Sequence, residues 1–427
     1  MLAAVLVAHG ASAQESRVAE LRAASRSRPG DGAASLAYGR ALRRAGHLAD
    51  AITELHRGFA VAGGSKDMAT QLHWEAARAY ADKHDLPRAT ASCHELEKKK
   101  GAGPESTPTP ESHACTAMAY LSWQRASEAL TEAAACLADD PSNFEAKLAE
   151  GRAYELELKP ADAEASLRAA VAMRSGADGE EAHAALGRVL WREGKRDEGI
   201  AELRRALNFD PFDPDALFEL GSALTTPDRR GYLEAATRER PSFVEAWLAL
   251  GTLLVEANDL AGAKAAADTV NKIEAGNVPA LVLAGKVAMA QGHADEALKD
   301  GQAALKIVPN NAAAMLLVAD ADGQKGDLDA AIEAYQTAWG LDHGNPLPLL
   351  HASALCHASG RDTSARAFAS KLAQEFPAFA PGWDALGDAL AGQKETAAAR
   401  DAYGKALSAP DGAVDRAAVS RKLAALR

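Results

Sequence analysis

Four potential metal ligands flank one stretch of the chain: Cys93 and His94 before it, His113 and Cys115 after it. Thiolates and imidazoles in this mixture suit a tetrahedral zinc ion. Adjacent residues on a helix point in different directions, however, so Cys93 and His94 do not readily converge on one ion, and no metal is expected. Cys93 and Cys136 fall at core positions of helices, where a thiol acts as a small hydrophobe. If the chain is exported, Cys115 can instead bridge to Cys93 or Cys136. Asp320-Ala321-Asp322-Gly323 shares carboxylate spacing with a calcium loop, but its glycine is misplaced and no glutamate closes it. Helix-surface carboxylates explain it better. His94-Glu95 lacks the second histidine of a zinc protease helix. Gly-rich phosphate loops, a Gly-x-Ser-x-Gly elbow and a Cys-x-x-Cys-His haem site are all missing from the sequence. No catalytic constellation is complete, so the chain is not expected to be an enzyme or to carry a cofactor.

The residues that do recur are structural. In the stretch 180–213, Leu186, Gly187 and Leu190 lie on one face of a first helix, Gly194-Lys195 forms a turn, and Ile200, Leu203 and Ala206 lie on one face of a second, which Pro211 ends. Spacings of three, four and seven mark amphipathic helices. Alone, such a pair leaves half its apolar surface in water, so it requires copies. The small residue at Gly187 recurs as Gly39, Ala77, Ala117, Gly151, Gly221, Gly251, Gly285, Ala319, Ser353 and Gly387, the last five in steps of 34 residues. An alanine follows most of these at a fixed distance, and Pro141, Pro211, Pro309 and Pro377 end second helices, because proline cannot continue one.

This pattern resembles the tetratricopeptide repeat family, which has a period of 34. Ala246-Trp247-Leu248-Ala249-Leu250-Gly251 matches it well, as does Gly382-Trp383-Asp384-Ala385-Leu386-Gly387 with Tyr403 and Ala406 behind it. The resemblance covers residues 33–411. It implies an all-α fold, a right-handed α-solenoid of about eleven helix-turn-helix repeats. Each repeat touches only its neighbours, so 427 residues need no globular split.

Met1–Ala13 reads as a secretory signal, with an apolar run at Leu2–Ala8 and a small-x-small site at Ala11-Ser12-Ala13, although a basic leading segment is missing. This predicts export, in a bacterial setting to the periplasm; otherwise the chain is cytoplasmic. Residues 14–32 read as a capping helix and 33–225 as an N-terminal array. Within that array, 98–112 is an exposed Lys- and Pro-rich insert, its lysine run ending a helix. Residues 226–241 are a shortened repeat whose second helix loses about a turn, with a break expected near Pro227. Residues 242–411 form a C-terminal array. In 412–427, a final helix turns Val419, Leu423 and Leu426 inward and Arg416, Arg421, Lys422 and Arg427 to water. Val278–Gln291 comes nearest to the roughly 18 apolar residues of a membrane span, but Lys286 interrupts it.

In the family's architecture, the residue after each small marker lines the superhelical groove. Those residues are Arg40, Arg78, Met118, Arg152 and Arg188 in the first five repeats, then turn neutral and finally acidic. Trp74, Leu148, Phe218 and Trp191 add apolar anchors. Arg40/Arg44 and Arg188/Arg192 are like-charge pairs one helical turn apart, which cost stability unless an anion is near. That anion is either a partner or the chain's own Glu145, Glu155 and Glu181.

The formal net charge of −12 argues against a general nucleic-acid binder. The expected function is therefore a non-catalytic protein-interaction scaffold of unknown oligomeric state. Its N-terminal groove (Arg40, Arg78, Arg152, Arg188, Trp74 and Trp191) would take a peptide or protein segment carrying carboxylates. The alternatives are a structural assembly factor of an envelope or polymer-export complex, and a glycan-binding or enzymatic module using Asp320, Asp384 and Asp388.

Overall fold

The computed structural model describes residues 13–62, 65–99, 106–174, 179–412 and 414–426. The expected signal lies outside them but for Ala13, where the first helix begins. Among the described residues, 24 α-helices and one pair of two-residue strands are present. The chain divides into two compact units, residues 1–249 and 250–427. The division falls within the helix Val244–Glu256, one helix beyond the break expected near Pro227.

After the helix Ala13–Ser27, the first unit holds six helix pairs. Repeat one is Gly32–Arg44 with Leu48–Val61, repeat two Lys66–Asp82 with Leu86–His94, and repeat three Pro110–Leu121 with Ala126–Asp139. Repeat four is Phe144–Leu156 with Pro160–Met173, repeat five Glu180–Arg192 with Arg196–Phe209, and repeat six Pro214–Ala223 with Asp228–Glu239. Repeat seven, Val244–Glu256 with Leu260–Ile273, carries the division. The second unit continues with four pairs from Val278–Ala290 to Thr396–Ser408 and ends in the helix Arg416–Ala425.

Local chemistry sets these boundaries. Asp31, Asn143, Asp213, Asn277 and Asn311 each cap a first helix by accepting from backbone N–H groups of its first turn, which satisfies donors with no partner inside the helix. Between first and second helix the chain reverses through one residue in the left-handed region, seven positions after the small marker. That residue is Gly46, Gly194, Gly292, Gly326 or Gly360 in five repeats, and His84, Gln124, Leu158, Asn258 or Lys394 in five others. Repeat six lacks this turn. Its first helix has 10 residues and its second 12, against 13 and 14 in repeat five, and Leu224 runs extended instead. The shortening is therefore shared by both helices, not confined to the second.

The small marker works as its size requires. A β-carbon on Gly151 or Gly187 would lie 2.6 Å from Leu167 or 2.7 Å from Leu203 on the paired second helix. At Gly251 and Gly285 the close neighbour is instead Leu283 or Leu317, from the first helix of the following repeat. Trp247 and Trp383 satisfy their indole N–H groups by donating to the carbonyls of Pro241 and Pro377, each at 2.9 Å.

The insert differs from a bare loop. Lys98–Lys99 pairs antiparallel with Ser106–Thr107, and a reciprocal cap between Thr109 and Ser112 draws Pro110–Ser112 into the next helix. The lysines follow the helix Leu86–His94, which ends before them. Cys93 and Cys115 form a disulfide across this insert, while Cys136 and Cys356 are buried thiols. His94 and His113 bond to Glu97 and Glu132, so the four candidate zinc ligands do not converge. Among the described residues no group of three metal-ligating side chains is found.

Candidate functional site: the cavity of the first unit

First helices of repeats one to five line a cavity of about 720 Å³. Its apolar lining comes from Leu21, Trp74, Met118, Phe144, Leu148 and Phe209. Its charged lining is balanced: Arg17, Arg40, Arg43, Arg44, Arg78 and Arg174 against Glu75, Glu111, Glu145, Glu180, Glu181 and Asp210. The structure thus brings Arg40, Arg78 and Trp74 into one cavity. Arg152, Arg188 and Trp191 are not among its lining residues. Trp191 packs into the apolar cluster around Leu203, Leu217 and Leu220, and its indole nitrogen is buried without a hydrogen-bond partner.

Most of the arginines meet carboxylates of the chain itself. Arg40 and Arg43 both donate through Nε to Glu75, at 2.7 and 3.2 Å, and Arg43 also reaches Asp82 at 3.0 Å. Glu75 is 2% exposed. Burial alone would raise its pKa, but Arg43, Arg78 and Arg40 outweigh burial and hold it at about 2. Glu181 is likewise held at about 2, against burial, by Arg78 and Arg43, and it accepts a hydrogen bond from Arg78. Arg188 grips Glu155 through two nitrogens at 2.7 Å each and Glu219 at 3.3 Å, and Arg192 shares Glu155 at 2.8 Å. Arg174 stacks on Phe144 with its guanidinium 4.0 Å from the ring centre and donates to Glu145 at 2.6 Å.

Both like-charge arginine pairs noted in the sequence therefore find anions within the chain. Arg44 takes Glu180 and Asp210, two residues the sequence reading did not single out. Arg152 differs from the other three arginines at its register position. It has no hydrogen bond or ion pair among the described residues. Burial, then Arg188 and Arg78, lower its pKa, and Glu181 and Glu155 offset them only in part.

In the second unit the acidic positions are engaged. Asp320 accepts from the Tyr335 hydroxyl at 2.7 Å and bonds His351 at 2.8 Å. Asp388 accepts from the Tyr403 hydroxyl at 2.7 Å. Lys422 of the last helix, expected to face water, instead binds Asp384 at 3.0 Å and Asp388 at 2.7 Å. Val419 is buried, and Leu423 and Leu426 pack on the last repeat beside it.

Residues 184–226, 230–273 and 282–346 match the family model of the tetratricopeptide repeat. Over these residues the chain is a tetratricopeptide repeat array. Such repeats in general mediate protein–protein interaction and are in general non-catalytic. A solved structure of a tetratricopeptide repeat protein from Parabacteroides merdae ATCC 43184 aligns at 16% identity with a TM-score of 0.41, covering 66% of this chain and 98% of that one. No curated protein matches the chain. No described helix is long and apolar enough to cross a membrane.

Proposed function

We propose that the chain is a non-catalytic scaffold whose first unit takes an extended or helical protein segment bearing a carboxylate. The observation that carries this reading is Arg152. Its guanidinium lies near Arg188 and Arg78 as well as Glu181 and Glu155, makes no hydrogen bond or ion pair among the described residues, and would gain a charge-assisted pair from a partner's carboxylate. Trp74, Met118 and Phe144 in the adjoining cavity offer apolar anchorage of the kind that dominates interface energetics. The Cys93–Cys115 disulfide supports export, because such bonds persist in oxidising compartments.

The test is selection from a displayed random dodecapeptide library on the full chain, with counter-screens on Arg152→Gln and Trp74→Ala. Clones rich in Asp or Glu that bind about tenfold more weakly to each variant are expected. Clones indifferent to both variants, or no clones at all, would sink the proposal.

A further inference from the structure

The two ends of the first unit's repeat array touch. Arg44, in the last turn of the first helix of repeat one, donates to Glu180 at the start of repeat five and to Asp210 at its end. Arg17 of the leading helix lies 3.9 Å from the same Asp210. Arg78 of repeat two reaches Glu181 of repeat five. Arg240, closing repeat six, holds Asp215 through two nitrogens and turns its Nε to the Arg44 carbonyl at 3.4 Å. A β-carbon on Gly46 would lie 2.7 Å from Ser242 Oγ and 3.9 Å from Ser242 Cβ. Residues from both sides of this seam, Arg44 and Arg17 against Glu180 and Asp210, line the cavity.

The seam differs in kind from the contacts between consecutive repeats. Those combine ion pairs such as Arg40–Glu75 and Arg188–Glu155 with an extensive apolar base of leucines and alanines buried in continuous clusters. The seam is held largely by charge-assisted hydrogen bonds between mostly buried groups, with Arg44 21% exposed and Asp210 5%. Apolar stacking has no alternative partner in water, whereas an arginine–carboxylate pair exchanges readily for another carboxylate on the same guanidinium. The chain's own Glu180, Glu181 and Asp210 thus occupy Arg44 and Arg78 as a partner's carboxylates would.

We infer that this seam is an autoinhibitory latch: in the free protein it holds Arg44 and Arg78 on the chain's own carboxylates, and it opens to the acidic segment, whose carboxylates replace Glu180, Glu181 and Asp210 on those arginines. The inference rests on the reading that this cavity takes an acidic segment. The pull between closed and open states then equals the difference in the segment's affinity for them. Burial disfavours the charge on Glu180 and raises its pKa although Arg44 is beside it, so that anion gains hydration when the latch opens.

The test uses Gly46→Cys with Ser242→Cys. A separation of 3.9 Å between β-carbons suits a disulfide, and His84, Gln124 and Leu158 show that side chains are tolerated at the Gly46 turn position. The probe is a fluorescein-labelled acidic dodecapeptide from the selection above. Its association should be about tenfold slower with the oxidised variant than with the reduced one, while the native chain with and without reductant serves as the control for Cys93–Cys115. Equal rates in the two forms of the variant would overturn the latch.

A second arm needs no ligand. Spin labels at Asp50→Cys and Thr226→Cys report the distance across the seam. Raising salt to about 1 M, or Arg44→Gln, should broaden the distribution towards longer distances, and a narrow, unchanged distribution would mark the seam as a permanent wall. If no peptide is selected, the cavity reading falls, while the label distances still decide whether the seam opens.

Discussion

Glu75 shows how one buried carboxylate organises the first unit. It is 2% exposed and accepts from two arginines, so removing its charge strands Arg40 and weakens the hold on Arg43. Glu75→Gln is expected to destabilise the fold by roughly 3 kcal/mol at neutral pH, the range for breaking one side of a buried pair. The sign of the pH dependence follows from its depressed pKa. The native state holds the group ionised down to about 2, while the unfolded chain protonates near 4.5. Its contribution is therefore complete above the unfolded value and is lost as pH falls from there towards about 2. Chemical denaturation of the native chain and the variant along that acid limb should converge, and a gap that stays constant to the lowest pH would refute this assignment. The register position of Arg152 was legible, though the cavity lining leaves it out. That it lacks an ion pair was not, because Glu155 and Glu181 stand equally near in sequence terms and only the fold shows that Arg188 and Arg78 have taken them.

At the level of the helix pair, the turn residue sets a local cost. Leu158 sits at φ 57° with 85% of its surface exposed, in a position that glycine fills in five repeats. Left-handed backbone costs a side-chain-bearing residue about 1 kcal/mol or more, and an exposed leucine regains little by packing. Leu158→Gly should therefore raise the midpoint of thermal unfolding, with a gain of about 1 kcal/mol before the entropy of the more flexible unfolded chain is subtracted; a lowered midpoint would show that Leu158 is held by contacts. The pairs themselves were readable because their constraints are local and periodic: a small residue where two helices cross, a leucine facing it, a proline at the exit. Where the period failed, the physics was less visible. The four residues missing from repeat six pointed to a lost turn of the second helix, but the first helix shortened as well, since Leu224 leaves the helical region without any proline or glycine to signal it. The disulfide was one of several open pairings, and only the hairpin of the insert and the helix that follows bring Cys115 to Cys93 rather than to Cys136.

For the whole molecule, the seam is the feature that periodicity hides. Arg44 and Glu180 are 136 positions apart and Arg44 and Asp210 are 166 apart, so no repeat-level pattern relates them. The indirect sign was Arg40 beside Arg44, a like-charge pair that needed an anion from somewhere. The seam also changes how the first unit should come apart. A stack of repeats with two free termini unzips from its ends, one pair at a time, because each unit leans only on its neighbours. A closed circuit offers no end from which to begin. Native-state hydrogen exchange should accordingly find amides of repeats one to six opening together, with near-equal protection. Repeats eight to eleven should instead show protection falling off towards Arg416–Ala425, and graded protection in both halves would mean that the circuit is not closed in solution. What looks like a detail of arginine pairing thus converts a row of weakly coupled modules into one cooperative block.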